Sequence, residues 1–133
     1  MRRLIAICCF FPLLSISQQL EEFLSTATFS LNQDKHYLET YLFFGVNTVN
    51  LITSDEKSYH GIIKTNIKLV QEGKVIYKDA YTLTSPTFPK REYNDVFFVD
   101  QQRIPIENGI YTLIIQINDT NTETGFKKIS NEI

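Results

Sequence analysis

From Thr26 onward, apolar and polar positions alternate along the chain with the two-residue period of half-buried strands, and turn residues interrupt them at short intervals. Thr26 to Leu31 reads as a first strand, closed by Asn32-Gln33-Asp34-Lys35. In the run Tyr37 to Phe44, Leu38, Leu42 and Phe44 are expected to face inward. Tyr37, Glu39 and Tyr41 then face outward or cover an edge. Val49 to Ile52 is expected as a short strand before a polar loop, Thr53 to Ser58.

A hairpin follows. Gly61, Ile63, Thr65, Ile67 and Leu69 share one face, while Ile62, Lys64, Asn66 and Lys68 share the other. Gln71-Glu72-Gly73-Lys74 supplies a tight turn whose glycine takes a positive φ. On the return, Val75, Tyr77, Tyr81 and Leu83 are in phase, and Asp79 conflicts with them. A bulge near Lys78-Asp79-Ala80 is expected to resolve that conflict. The prolines in Ser85 to Arg91 make that stretch a loop. Val96 to Ile106 is extended again, with Pro105 placing its end on a sheet edge or at a crossing between sheets. Tyr111, Leu113, Ile115 and Ile117 form one buried face. Asp119 to Gly125 is a polar turn, and Phe126 to Ile133 a last strand.

About seven short strands without a helical period describe an all-β sandwich, immunoglobulin-like or fibronectin-III-like. Glu107, Gly109 and Tyr111 have the spacing of a tyrosine corner. In that motif a Tyr entering a late strand turns its hydroxyl back to the preceding corner, and a glycine permits the bend. An ordinary Asn-Gly hairpin followed by a core Tyr gives the same fold class.

The first residues do not belong to this pattern. Met1-Arg2-Arg3 is basic, Leu4 to Leu14 is an apolar run too short to span a bilayer, and Ser15 and Ser17 stand at the −3 and −1 positions before Gln18. The expected organisation is a cleaved signal peptide over 1–17, a lead-in over 18–24 and the sandwich over 25–133. Both cysteines, Cys8 and Cys9, lie in the apolar run, so the mature domain carries no thiol and no disulfide. Ile7 before Cys8 does not fit a lipoprotein cleavage site. Removal of the signal leaves 11 basic against 15 acidic residues, a formal charge of −4. No run of lysines or arginines marks a nucleic-acid or membrane surface.

Little catalytic chemistry is legible. His36 and His60 are far apart, each expected near a strand start, and no spacing joins them to carboxylates such as Glu39 or Asp55 as a metal site. No nucleophile elbow, zinc-protease helix, phosphate loop or calcium loop occurs. No catalytic residue, cofactor or metal is therefore expected. Asn118-Asp119-Thr120 is formally a glycosylation sequon, relevant only in a eukaryotic secretory route. The nearest approach to a binding signal is aromatic content: Tyr37, Tyr41, Tyr59, Phe88, Tyr93, Phe97 and Phe98 either cover the sheet rims or grip a sugar or peptide.

Taken in order, four stretches carry a resemblance. They are Tyr37-Leu38-Glu39-Thr40-Tyr41-Leu42, Gly73 to Lys78 with Tyr81-x-Leu83-x-Ser85-Pro86, Asp100 to Ile106, and Asn108-Gly109-x-Tyr111-Thr112-Leu113. Together they resemble the N-terminal immunoglobulin-like domain of GWxTD-domain proteins, exported proteins of Gram-negative bacteria, over roughly Thr28 to Asp119. In that family the naming segment lies downstream. This chain reaches Ile133 without it and has no Trp, so no functional residue carries over. The resemblance implies a bacterial exported protein, periplasmic, outer-membrane associated or extracellular, and a reading frame that continues past Ile133. The expected role is a non-enzymatic structural or interaction domain that docks a neighbouring domain or envelope protein, with Tyr93, Phe97 and Phe98 as its candidate patch. A glycan- or peptide-binding module and an accessory domain of an enzyme are the alternatives.

Overall fold

A computed structural model describes residues 20–133 apart from positions 34, 56 and 124. The expected signal peptide, its cleavage point and both cysteines lie outside the described residues. Among the described residues, nine strands follow in order: β1 (Glu22–Asn32), β2 (Lys35–Gly45), β3 (Ile52–Asp55), β4 (Ser58–His60), β5 (Ile62–Gln71), β6 (Lys74–Thr84), β7 (Phe97–Ile106), β8 (Thr112–Asp119) and β9 (Lys127–Glu132). One turn of 3₁₀ helix, Val46–Thr48, follows β2, and the described residues contain no α-helix. A three-stranded sheet in the order β1-β2-β7 faces a four-stranded sheet in the order β6-β5-β8-β9, and all these neighbours are antiparallel. The chain is an all-β sandwich.

The alternation seen in the sequence decides which side of each strand is buried. Leu38, Leu42 and Phe44 of β2 meet Ile63, Ile67 and Leu69 of β5 and Leu113, Ile115 and Ile117 of β8 in one core, all nearly inaccessible to solvent. Val46, Val49 and Leu51 join the same core cluster. Each fully buried aliphatic side chain contributes roughly 1.5–3 kcal/mol by leaving water, and the described core has no disulfide to assist it.

Polar latches join the sheets at both open sides. Between the edge strands β6 and β7, the Tyr81 hydroxyl donates to Asp100, whose other oxygen accepts from Gln102 Nε2 at 2.9 Å. Between the edge strands β1 and β9, Lys127 Nζ donates to Glu22 Oε2 at 2.8 Å and to the Leu20 carbonyl at 3.3 Å. Asp119, at the end of β8, is buried and accepts from the Asn50 and Asn121 amides at 2.6 and 3.0 Å. It thereby ties the segment after the 3₁₀ turn to the β8 end.

Several local expectations are corrected. β1 starts at Glu22, inside the expected lead-in, because Glu22 through Leu24 pair with Phe44 through Leu42 of β2. Val49 to Leu51 is irregular rather than a strand, although Val49 and Leu51 are buried. The polar stretch after it forms the β3–β4 hairpin, turned where the Asp55 carboxylate accepts the Lys57 amide at 2.8 Å. The β5–β6 hairpin turns on Glu72 and Gly73, both left-handed (φ 49° and 78°), as its two-residue loop requires. Its bulge lies beside this turn rather than at Lys78-Asp79-Ala80: Leu69 pairs with Tyr77 and Val70 with Val75, leaving Ile76 unpaired. Asp79 stays in register opposite Ile67 and remains exposed, which an edge strand tolerates. Pro105 lies on β7, an edge strand, where a proline is tolerated.

Candidate functional site

The outer face of the three-stranded sheet is the most distinctive surface. Strand alternation sends Tyr37, Glu39, Tyr41 and Phe43 of β2 away from the core. Ladder pairing then sets Phe29 and Pro105 beside Tyr37, Ala27 and Arg103 beside Glu39, Ser25 and Gln101 beside Tyr41, and Phe23 and Val99 beside Phe43. The centre of this face is polar. Arg103 Nε donates to Glu39 Oε1 at 2.9 Å, its terminal nitrogen donates to the same oxygen, and Tyr41 donates to the other oxygen. Its guanidinium carbon also lies 4.4 Å from the centre of the Tyr37 ring, which stacks on Phe29.

These bonds set the protonation states. The Tyr41 hydroxyl first, and then Arg103, hold the Glu39 carboxyl below its ordinary range. The same bond raises the Tyr41 hydroxyl, and the carboxylate raises Arg103. A carboxylate whose lone pairs are occupied in this way is a poor proton acceptor, so the cluster is suited to holding three strands together.

One end of the face is apolar and open. Phe23 stacks on Phe43 with ring centres 4.3 Å apart and meets Phe97 edge-on at 5.8 Å. Phe23 is 50% exposed, Phe97 41% and Val99 51%, so the cluster presents aromatic and aliphatic surface to water. At the opposite end, Leu31, Tyr37, Pro105 and Ile106 line a shallow recess of about 480 Å³. A second, more polar recess of about 410 Å³ lies between Asn47–Leu51 and Arg91–Asn94.

The three residues expected to form a docking patch separate. Phe98 is only 7% exposed and stacks on Phe44 in the core, with Phe88 beside it. Tyr93 is half-buried against Phe88, under the Lys90 ammonium. Phe97 alone is on the outer face, because consecutive strand residues point to opposite sides. Of the other aromatics, Tyr59 lies under the Arg91 guanidinium, and its backbone pairs with Phe88.

At the corner before β8, Tyr111 is buried and its hydroxyl donates to the Glu107 carbonyl at 2.8 Å. Gly109 does not have a positive φ, and a Cβ there would meet the movable end of the Gln71 side chain, so neither backbone angle nor close packing demands glycine at this corner. His36 is near the start of β2 with a buried Nε2. His60 ends β4 instead of starting a strand, and its Nδ1 shares a hydrogen bond with Ser54. Among the described residues, no group of three or more His, Cys, Asp or Glu could hold a metal ion.

Sequence reasoning missed Phe23, Phe43 and Val99, as well as the Glu39–Arg103 pair. A usable signal was present. The doublets Phe43-Phe44 and Phe97-Phe98 on strands each require one ring on the solvent face. No protein-family model matches the chain, and comparison with the curated proteins finds no significant similarity.

Proposed function

We propose that this chain is an exported, non-catalytic immunoglobulin-like module that docks another protein through the outer face of its three-stranded sheet. The observation that carries the proposal is the exposed Phe23–Phe43–Phe97–Val99 cluster, since contiguous apolar surface on a folded domain marks interaction sites. Strand order supports the immunoglobulin-like, fibronectin-III-like type. Apart from the β3–β4 hairpin, the first, second and fifth strands form one sheet and the third, fourth, sixth and seventh the other. The basic, apolar and small-residue succession before Gln18 supports export. The partner is a neighbouring domain or envelope protein, in line with the resemblance to GWxTD-domain proteins.

A photo-crosslinking amino acid at Val99, in the producing bacterium, tests this. A discrete protein adduct is expected at Val99, lost in Phe97→Asp, and none at the exposed Pro86. Equal labelling at both sites removes the proposal. The recess beside Tyr37 supports a second reading, a small sugar or aromatic ligand, for which Tyr37 ring signals should shift on titration in NMR spectra.

A further inference from the structure

We infer that the outer face of the four-stranded sheet binds an anionic polysaccharide. Register places Lys64, Lys68, Lys78 and Lys128 on that face, all exposed, although they come from three strands and from distant parts of the sequence. Lys68 and Lys78 are directly paired across β5 and β6. Side chains so paired stand about 5 Å apart at Cβ, and like charges there destabilise the sheet. Among the described residues the ion pairs are Arg103–Glu39 and Lys127–Glu22, neither of which involves this face. On the paired positions of the face the one carboxylate is Glu132, at a corner opposite Thr112. A chain with more acidic than basic residues thus concentrates unneutralised positive charge on one sheet surface.

The layout selects among anions. Lys64 and Lys68 are four residues apart on one strand, about 13 Å, while Lys78 lies one strand to the side. Charges spread over such a length suit a chain with repeated anions better than a single phosphate. Between the lysines, Ala80, Asn66, Gln116 and Lys128 form one continuous row across the four strands. The alanine leaves the surface low, and the two amides offer donors and acceptors to hydroxyl groups. No aromatic residue occupies these rows to stack nucleic-acid bases or enter a lipid surface.

The test uses the full chain produced with its own leader, and oligogalacturonate as the probe, with dextran, phosphatidylglycerol vesicles and a single-stranded oligonucleotide as comparisons. Calorimetry should detect oligogalacturonate binding that weakens by about tenfold or more from low to physiological salt, and no dextran binding. Lys68→Gln/Lys78→Gln should lose at least about tenfold in affinity with an unchanged circular dichroism spectrum, while Phe97→Asp binds normally. The Lys78→Gln protein without ligand should melt higher than the parent at low salt, because the opposed charges are relieved. Equal binding of dextran, tighter binding of vesicles or oligonucleotide, or undiminished binding by the double variant would each overturn the inference. Because Phe97 is on the other sheet, failure here leaves the docking proposal untouched, and the reverse also holds.

Discussion

Tyr81→Phe isolates the latch between the two sheets. The change keeps the ring, which packs against the core, and removes only the hydroxyl that donates to Asp100. A hydrogen bond to a charged group contributes roughly 1.5–3 kcal/mol, and the buried Asp100 keeps Gln102 as a second donor. The expected cost is therefore about 2 kcal/mol. With an unfolding entropy near 2.1 cal/mol/K per residue and roughly 110 residues, each kcal/mol lowers the melting temperature by about 4 °C, so a fall of about 8 °C is expected. Urea unfolding should show a lower midpoint with an unchanged slope. The decisive measurement is a double-mutant cycle with Asp100→Asn, in which the cost of Tyr81→Phe should shrink clearly. If Tyr81→Phe costs the same with and without the aspartate, the bond does not latch the sheets and the reasoning fails.

Burial first, and then the Asp100 bond, push the Tyr81 hydroxyl above the ordinary tyrosine value. A raised folded value means that its contribution is complete below about pH 10 and is lost as pH rises through the folded value; Tyr81→Phe should flatten that alkaline loss of stability, measured by urea midpoints against pH. Glu39 behaves oppositely: its lowered value means stability present above about pH 4.3 and lost on acidification, so a Glu39→Gln deficit seen at pH 7 should shrink as pH falls below that range. A deficit independent of pH would show that the carboxylate's charge is immaterial. Tyr111→Phe should cost about 1 kcal/mol, through loss of the bond to Glu107, and an unmoved denaturant midpoint would reduce Tyr111 to a plain core ring. Gly61→Ala should cost about 1–3 kcal/mol, since the added methyl runs into the β-branched Val49 side chain; trimming that side chain with Val49→Ala should absorb much of the penalty.

Alternation along a strand is a local property, and it was readable. The inward faces of β2, β5 and β8, the Glu72-Gly73 turn, the proline loop before β7 and the edge position of Pro105 all follow from one residue's relation to its near neighbours. The same local logic predicted the all-β sandwich. It stopped short wherever a residue's environment was set by another strand. The bulge at Ile76 depends on how a two-residue turn aligns β6 with β5, so the misfit of Asp79 in its own strand pointed to the wrong place. Phe97 and Phe98 look equivalent in sequence, yet the pleat sends one to solvent and the other onto Phe44. The Glu39–Arg103 bridge, the two latches and the lysine face join positions up to about a hundred residues apart. The sequence by itself determined which residues could be buried, because burial follows from side-chain hydropathy and the two-residue pleat. Only the tertiary structure decided which charges and rings meet, because strand order and register bring together residues whose separation along the chain carries no trace of their contact.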